Sequence, residues 1–300
     1  MNTVLVLGKT GGLGHMVERI LSRSEALVTH GTCRGHELDP CYFDVENGLS
    51  GLQRIVEDNG PFDYLINCIG VLRSDIDERD AESVRRAERI NSRFPHALAD
   101  LAGQIGVRVI QISTDGVFSD GAEVCLEDTP TSCSDVYGKT KRSGEVHAPG
   151  FLNLRCSIIG PHPRKKEGLL EWFRSQDPGA EISGYSDHLW NGVTTLQFAQ
   201  LCRLVILEQG FDSIRNEGPV HHFCPNQAVT KNELLQIMKS EFAQQIIIKP
   251  VPAPGGPVNR VLDTRYVEVR KLYGHDLPMQ QAIRELAAEI RGAVQHSCKV

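Results

Sequence analysis

The stretch TVLVLGKTGGLGHMV, Thr3 to Val17, decides the fold. Its apolar run to Leu7 has the length and composition of a short buried strand. Gly8, Gly11 and Gly14 follow at three-residue spacing. Leu13, Val17, Ile20 and Leu21 then recur with the period of a helix. A strand, a glycine turn and a helix make an anion cradle. One glycine forms the tight turn, one lets the backbone approach a pyrophosphate, and one packs helix on strand. The helix N-terminus adds free amides and a partial positive charge. The loop does not close on Gly-Lys-Ser/Thr before its helix, so a P-loop is not expected.

Strand-like and helix-like segments alternate onward from this unit. ALVTHGTCR reads as a second strand, LSGLQRIVEDNG as a helix stopping at Asn59-Gly60, and DYLINCIG as a strand. The charged stretch DIDERDAESVRRAERIN comes next. FPHALADLAGQIG reads as a helix, VRVIQIST as a strand, YGKTKRSGEVHA as a helix and FLNLRCSIIG as a strand. Such alternation predicts an α/β fold, a Rossmann-type doubly wound parallel sheet. After Gly160 the pattern loosens. LLEWFRSQ and TTLQFAQLCRLVILEQG read as helices, and MQQAIRELAAEIRGAVQ closes the chain as another. In VHHFCPNQAVTKNELLQIMKSEF a short strand leads to a helix capped by Thr230, with Glu233 completing a capping box. Residues 1–160 are expected to form a dinucleotide-binding domain, joined by about 188–222. Residues 161–187 and 223–300 are expected to form a smaller, partly interleaved α/β lobe for substrate.

Composition excludes several functions. The chain has 300 residues, 40% apolar and 23% charged, as in ordinary globular proteins. A net charge of −6 argues against a nucleic-acid-binding face. The basic cluster PRKKEG, Pro163 to Gly168, reads as a solvated loop that can still meet a phosphate. The opening MNTVLVLG lacks the basic leader and long apolar core of a signal peptide. No apolar run reaches membrane-spanning length. Nine scattered cysteines, without a Cys-x-x-Cys pair, fit a reduced cytoplasmic protein. His221-His222 lacks a ligand-spaced partner and reads as structural or surface. No metal site is expected.

The cofactor reading continues past the loop. About 20 residues on, an NAD site carries an acid for the ribose hydroxyl. Here Arg34 stands in GTCRG, and a cation suits a 2′-phosphate. NADP(H) is therefore preferred, while nearby Glu37 and Asp39 keep NAD(H) open. Thr10, Gly12 and Leu13 of the loop, and Cys68, Ile69 and Gly70 closing DYLINCIG, join the candidate cofactor contacts. A second constellation lies midway. VIQISTDGVF ends an apolar strand in Ser113-Thr114-Asp115, and Tyr137 and Lys141 follow in VYGKTK. Four residues apart, Tyr137 and Lys141 share a helix face. Strand-end hydroxyls followed by Tyr-x-x-x-Lys resemble the short-chain reductase pattern, and the carbonyl reduction this implies needs a hydride on carbon and a proton on oxygen. Lysine beside tyrosine favours the phenolate, lowering a pKa of about 10 toward the working range. Thr114 would hydrogen-bond the carbonyl oxygen.

Glycine loop, strand-end threonine and Tyr-x-x-x-Lys together resemble the extended short-chain dehydrogenase/reductases. That resemblance implies an acid, Asp44 with Val45 beside it, near the adenine. It also implies a helix asparagine, Asn91, near the active site, and contact of Tyr137 and Lys141 with the cofactor. GKTGGLG, STDGVF, YGKTK, LRCS and NRVLD narrow the resemblance to the dTDP-4-dehydrorhamnose reductase family. The implied activity is NAD(P)H-dependent reduction of the 4-keto group of a nucleotide-linked 6-deoxy sugar, for glycan precursors. The implied catalytic residues are Thr114, Tyr137 and Lys141. PVNRVLDT is similar to that family's substrate segment, which makes Asn259 a candidate contact, although Gly256 replaces the usual arginine. Asp115, Gly116, Trp190 and Asn191 are further candidate substrate residues. Gly116 stands where the family has tyrosine, so a more open pocket is expected. Dehydratases carry glutamate there, and Gly116 argues against dehydration. Met16 occupies the position of an acid through which some members bind magnesium, so that metal is not carried over. An epimerase is an alternative, as is a non-catalytic NADP-binding subunit of the methionine adenosyltransferase beta type. A homodimer is compatible with the chain.

Overall fold

The computed structural model describes residues 1–35, 38–121 and 123–297. In chain order the first half runs β1 (Asn2–Leu7), α1 (Gly14–Leu21), β2 (Leu27–Gly31), α2 (Ser50–Asn59), β3 (Tyr64–Asn67), α3 (Ala81–Ala87), α4 (Phe94–Ile105), β4 (Arg108–Thr114), α5 (Val136–Ser143) and β5 (Phe151–Cys156). The second half runs β6 (Ile158–Ile159), α6 (Leu169–Arg174), β7 (Glu181–Tyr185), β8 (His188–Trp190), β9 (Val193–Thr194), α7 (Thr195–Leu207), α8 (Phe211–Glu217) and β10 (Val220–His222). It ends with β11 (Val229–Thr230), α9 (Lys231–Glu241), β12 (Ile247–Val251), β13 (Val258–Arg260), α10 (Glu268–Tyr273) and α11 (Met279–Ser297).

The central sheet is wholly parallel, in the order β10-β5-β4-β3-β1-β2. The doubly wound sheet expected from the alternation is present. Strand periodicity sorts the two cores. Val4 and Val6 face one side with Met16 and Val17 of α1 and Phe198 and Leu201 of α7. Leu5 and Leu7 face the other with Leu52 and Ile55 of α2 and Leu98 and Leu101 of α4. The order reverses around β1, so the crevice at its C-terminal end lies at the topological switch point, where such sheets bind ligands.

The strand expected over ALVTHGTCR stops at Gly31, and a single bridge, Cys33 to Tyr42, continues the pairing. The segment Val220–His222 adds to the sheet edge beside β5. The segment His188–Trp190 instead pairs with β11 and β13 in a small three-stranded sheet. β7 pairs with β12, and β6 with β9. The capping box on α9 forms as expected: Thr230 Oγ1 accepts from Glu233 N at 3.1 Å, and Glu233 Oε2 accepts from Thr230 N at 2.7 Å. Thr194 and Gln197 form a second one on α7.

The charged stretch forms α3 and then a π turn, Glu88–Arg93, that runs into α4. Pro95 has no amide to give the Asn91 carbonyl, and the ladder widens there. A Cβ at Gly144, just past α5, would overlap that same carbonyl. The two helices therefore meet backbone to backbone.

Polar groups also hold the interior. Asn67, Gln111 and Asn153 are in register on β3, β4 and β5. Asn67 Nδ2 donates to Gln111 Oε1 at 2.8 Å, and Gln111 Nε2 donates to the Gly144 carbonyl at 2.7 Å. One strand end over, Arg155 makes two bonds to Glu145, at 2.7 and 2.8 Å, with side-chain exposures of 6% and 4%. Breaking one member of a buried pair strands the other charge. Glu145→Ala is expected to cost about 3–5 kcal/mol. Replacing both partners together, Glu145→Leu with Arg155→Met, is expected to cost much less. Urea midpoints at unchanged slope measure both.

Candidate active site

At the end of β1 the chain turns through Gly8, whose φ of 83° suits glycine. Gly8 N donates to Thr32 Oγ1 at 2.9 Å, tying the loop to the end of β2, and Gly11 N donates to the Gly8 carbonyl at 3.0 Å. A Cβ at Gly14 would overlap the Gly8 carbonyl, so the first turn of α1 sits directly on the loop. A Cβ at Gly8 would meet Ile69 Cγ1 at 3.0 Å, which places Cys68, Ile69 and Gly70 beside the loop at the end of β3. Thr10, Gly11, Gly12 and Leu13 make the rim. This backbone cradle, free of Cβ atoms where the chain doubles back, fits a dinucleotide pyrophosphate.

Arg34 is exposed past the end of β2. Glu37 lies outside the described residues. Asp39 turns onto its own loop, accepting from Cys41 N at 2.8 Å and from Cys33 Sγ at 3.3 Å. Asp44 accepts from Glu46 N at 3.0 Å and caps the short turn Val45–Asn47. Asn91 is buried in the π turn. Its Oδ1 accepts from Val71 N at 2.8 Å, and its Nδ2 donates to the Val71 carbonyl at 3.0 Å and to Thr140 Oγ1 at 3.3 Å. It joins the loop after β3 to α5.

Thr114 and Tyr137 converge at the end of β4, with Lys141 along the same helix. Asp135 caps α5 by accepting from Gly138 N at 2.9 Å. A Cβ at Gly138 would overlap the Gly116 carbonyl, so α5 lies directly on the turn after Thr114. The Tyr137 phenol is pushed up to about 12, first by burial, with the Thr114 hydroxyl pulling back and Asp115 adding to the rise. Lys141 is pulled down to about 8 by burial, against the opposing pull of Glu145. Its ammonium donates to the Ile112 carbonyl at 2.8 Å. The expected lowering of the tyrosine by this lysine is therefore not what the structure shows: desolvation dominates, and the ammonium is turned onto the strand.

The surroundings of Gly116 also differ from expectation. A Cβ there would meet Thr114 Oγ1 at 3.2 Å and Tyr137 Cε1 at 3.3 Å. The position points at Thr114 and Tyr137, not at an opened pocket. Beside it, buried Asp115 lies 3.5 Å from Arg260. Lys231 is pulled down to about 8 by burial, with Arg260 lowering it further and Asp115 opposing. Among the other sequence candidates, Trp190 is buried, and Asn191 exchanges hydrogen bonds with the Leu262 backbone at 2.7 and 3.0 Å. Asn259 Oδ1 accepts from Val261 N at 3.0 Å.

Sequence reasoning missed Glu145, Arg155, Arg260 and Lys231, and the amide ladder below them. The ladder carried a signal: an amide sits inside each of the apolar runs YLIN, VIQI and FLNL. Ser113, which looked like a strand-end hydroxyl for the site, donates to Glu145 at 2.6 Å.

The sequence model of the RmlD substrate binding domain matches residues 1–253. The chain belongs to this family. A dTDP-4-dehydrorhamnose reductase of Streptomyces griseus is 34% identical over 47% of this chain and 43% of its own length, so the aligned part is under half of that relative. The methionine adenosyltransferase 2 subunit beta of Xenopus laevis is 25% identical over 94% of this chain and 86% of its own. The dTDP-4-dehydrorhamnose reductase of Bacillus anthracis, solved in complex with NADP, superposes with a TM-score of 0.73 at 17% identity. It covers 96% of this chain and 99% of its own. The fold is that of the extended short-chain dehydrogenase/reductases.

The lysine gives a test on stability. Its pKa is about 8 folded against 10.5 in the open chain. Between these values the unfolded chain binds more protons, so stability gains from this group as pH rises through the window. Lys141→Met removes that penalty. The variant's stability relative to wild type should be greatest near about pH 7, by up to roughly 3 kcal/mol. The gap should narrow toward about pH 10. Denaturation free energies across that range would show the narrowing; a constant gap would contradict it.

Proposed function

We propose that this protein is an NADPH-dependent reductase of the 4-keto group of a nucleotide-linked 6-deoxy sugar, serving glycan precursor synthesis. The observation that carries the reading is the convergence of Thr114 and Tyr137, with Lys141 one helical turn away, at the crevice that the glycine loop opens. When bound, the reduced nicotinamide supplies the hydride. Gly8 to Gly14 hold its pyrophosphate, Asp44 and Val45 its adenosine end, and Cys68 to Gly70 the wall beside the loop.

The chain's own part is the proton. With a pKa raised to about 12, the Tyr137 phenol is protonated at neutral pH and suited to give its proton to the carbonyl oxygen. Thr114 orients that oxygen with its hydroxyl. Lys141 is largely cationic at pH 7, with a pKa of about 8 and its ammonium on the Ile112 carbonyl; turned from there toward Tyr137, it would stabilise the tyrosinate left behind. Asn91 keeps α5 in place through Thr140. An epimerase uses the tyrosine first as a base, and a raised phenol pKa suits that role less. Asp115, Gly116 and Asn259 border the side where the sugar enters.

A second reading has its own support. The alignment to methionine adenosyltransferase 2 subunit beta runs along nearly the whole chain, whereas that to the reductase of Streptomyces griseus covers half. In that reading the site is vestigial and the chain serves a partner subunit.

Turnover separates the two. The purified protein, given NADPH and 4-keto-6-deoxy sugar nucleotides, should oxidise the cofactor, read at the nicotinamide absorbance band. Absence of oxidation with every such sugar would favour the partner role. Tyr137→Phe should lower turnover by about 10²-fold or more while NADPH affinity stays unchanged. Full turnover in that variant would remove Tyr137 from the chemistry.

A further inference from the structure

The basic loop after β6 is exposed from Pro163 to Gly168 but is held against the molecule at several points. It crosses the glycine loop from one wall of the cleft to the other. His162 organises it: its Nδ1 accepts from Arg164 N at 3.2 Å and from Lys165 N at 3.0 Å, and its own N donates to Glu171 Oε1 at 3.3 Å. The imidazole lies over the cradle, where a Cβ at Gly12 would meet His162 Cδ2 at 3.1 Å. On one side, Lys165 pairs with Asp75, beyond the end of β3, at 3.2 Å. On the other, the Arg164 guanidinium lies on the backbone of Gly35. A Cβ there would meet its Nη2 at 2.9 Å and its Nη1 at 3.3 Å. Gly35 directly follows Arg34. The stem of Lys9 lies against Gly31 on the same strand end, where a Cβ would meet Lys9 Cδ at 2.7 Å.

We propose that residues 161–167 form a strap over the dinucleotide cleft, and that Arg164 joins Arg34 in a two-guanidinium clamp for a ribose 2′-phosphate. The inference rests on the cofactor half of the functional reading and not on the sugar. A guanidinium presents a planar fork of donors matched to phosphate oxygens, and two of them suit a dianionic phosphate monoester. Asp39, the described acid nearest in sequence, accepts from the amide and thiol of its own loop. Gly35 admits the second guanidinium because a side chain at that position would displace it. The 2′-phosphate would lie between Arg34 and Arg164, with the strap held over the rim of the cradle by the contact of His162 with Gly12.

Binding alone tests this. Dissociation constants for NADPH, NADH, 2′,5′-ADP and 5′-AMP would be measured by calorimetry on wild type, Arg164→Ala and Arg34→Ala. Each variant should bind NADPH and 2′,5′-ADP about tenfold more weakly, with NADH and 5′-AMP unchanged. Arg164 is exposed, so the fold should be kept, and thermal melting checks it. Equal weakening of all four ligands would make the loop a cover that does not read the phosphate. No effect of Arg164→Ala beside a clear effect of Arg34→Ala would remove Arg164 from the site. Failure of wild type to bind either dinucleotide would overturn the cofactor reading as well. Binding without turnover of any sugar would leave the clamp standing and sink the reductase.

Discussion

The ion pair between Glu145 and Arg155 is the constraint around which the site is arranged. Both charges are withdrawn from water, at a desolvation cost of several kcal/mol each. Three charge-assisted bonds offset that cost, two from the guanidinium and one from Ser113. The geometry joins three elements at one point. Ser113 belongs to β4, Arg155 to β5, and Glu145 follows α5 by two residues. The pair thus fixes the C-terminal end of the helix that carries Tyr137 and Lys141. Its carboxylate is also the group that opposes the desolvation of Lys141. A well-packed apolar substitute could hold the same elements together, but it would leave the lysine without a counter-charge.

From that anchor the helix is set against its neighbours by backbone contact. Gly138 lies on the Gly116 carbonyl, and Gly144 lies on the Asn91 carbonyl. Neither approach has a side chain between the two main chains, so neither distance can be adjusted by a rotamer. The Asn91 carbonyl is available because Pro95 cannot donate to it, and the Asn91 side chain ties the loop after β3 to Thr140. Placement of Tyr137 relative to Thr114 is therefore a property of backbone packing, which suits chemistry that depends on tenths of an ångström.

Much of this was legible in the sequence, and the parts that were not share a physical cause. The parallel sheet, the glycine cradle and the α9 capping box rest on local period and on residues with one conformational use. They could be read without knowing what packs where. The contents of the site depend on pairings between distant segments. The Glu145 partner is ten residues away on β5, and Arg260 reaches Asp115 from β13. The short strands β8, β11 and β13 were missed because two or three residues are too few to show a period. The tyrosine pKa was misjudged for a related reason. Spacing says that Lys141 shares a face with Tyr137, but not that its ammonium turns to Ile112 while burial governs the phenol.

The position of Gly116 follows from the same crowding. Its Cβ direction meets the Thr114 hydroxyl and the ring edge of Tyr137, so a side chain there must shift one of them by a few tenths of an ångström. Such a glycine frees no volume at the centre. It lets α5 and the strand-end turn approach, while the polar space beside it is taken by Asp115, Arg260 and Lys231. One Asp115 oxygen is buried without a hydrogen bond, and its nearest cation stands at 3.5 Å. The Lys231 ammonium makes no hydrogen bond or ion pair among the described residues. The region next to the tyrosine is therefore ionic and only partly satisfied, and a ligand entering it exchanges polar contacts rather than filling an apolar void. Specificity at such a wall comes from the groups a ligand must satisfy. An apolar group placed there would leave the Lys231 ammonium desolvated and without a partner.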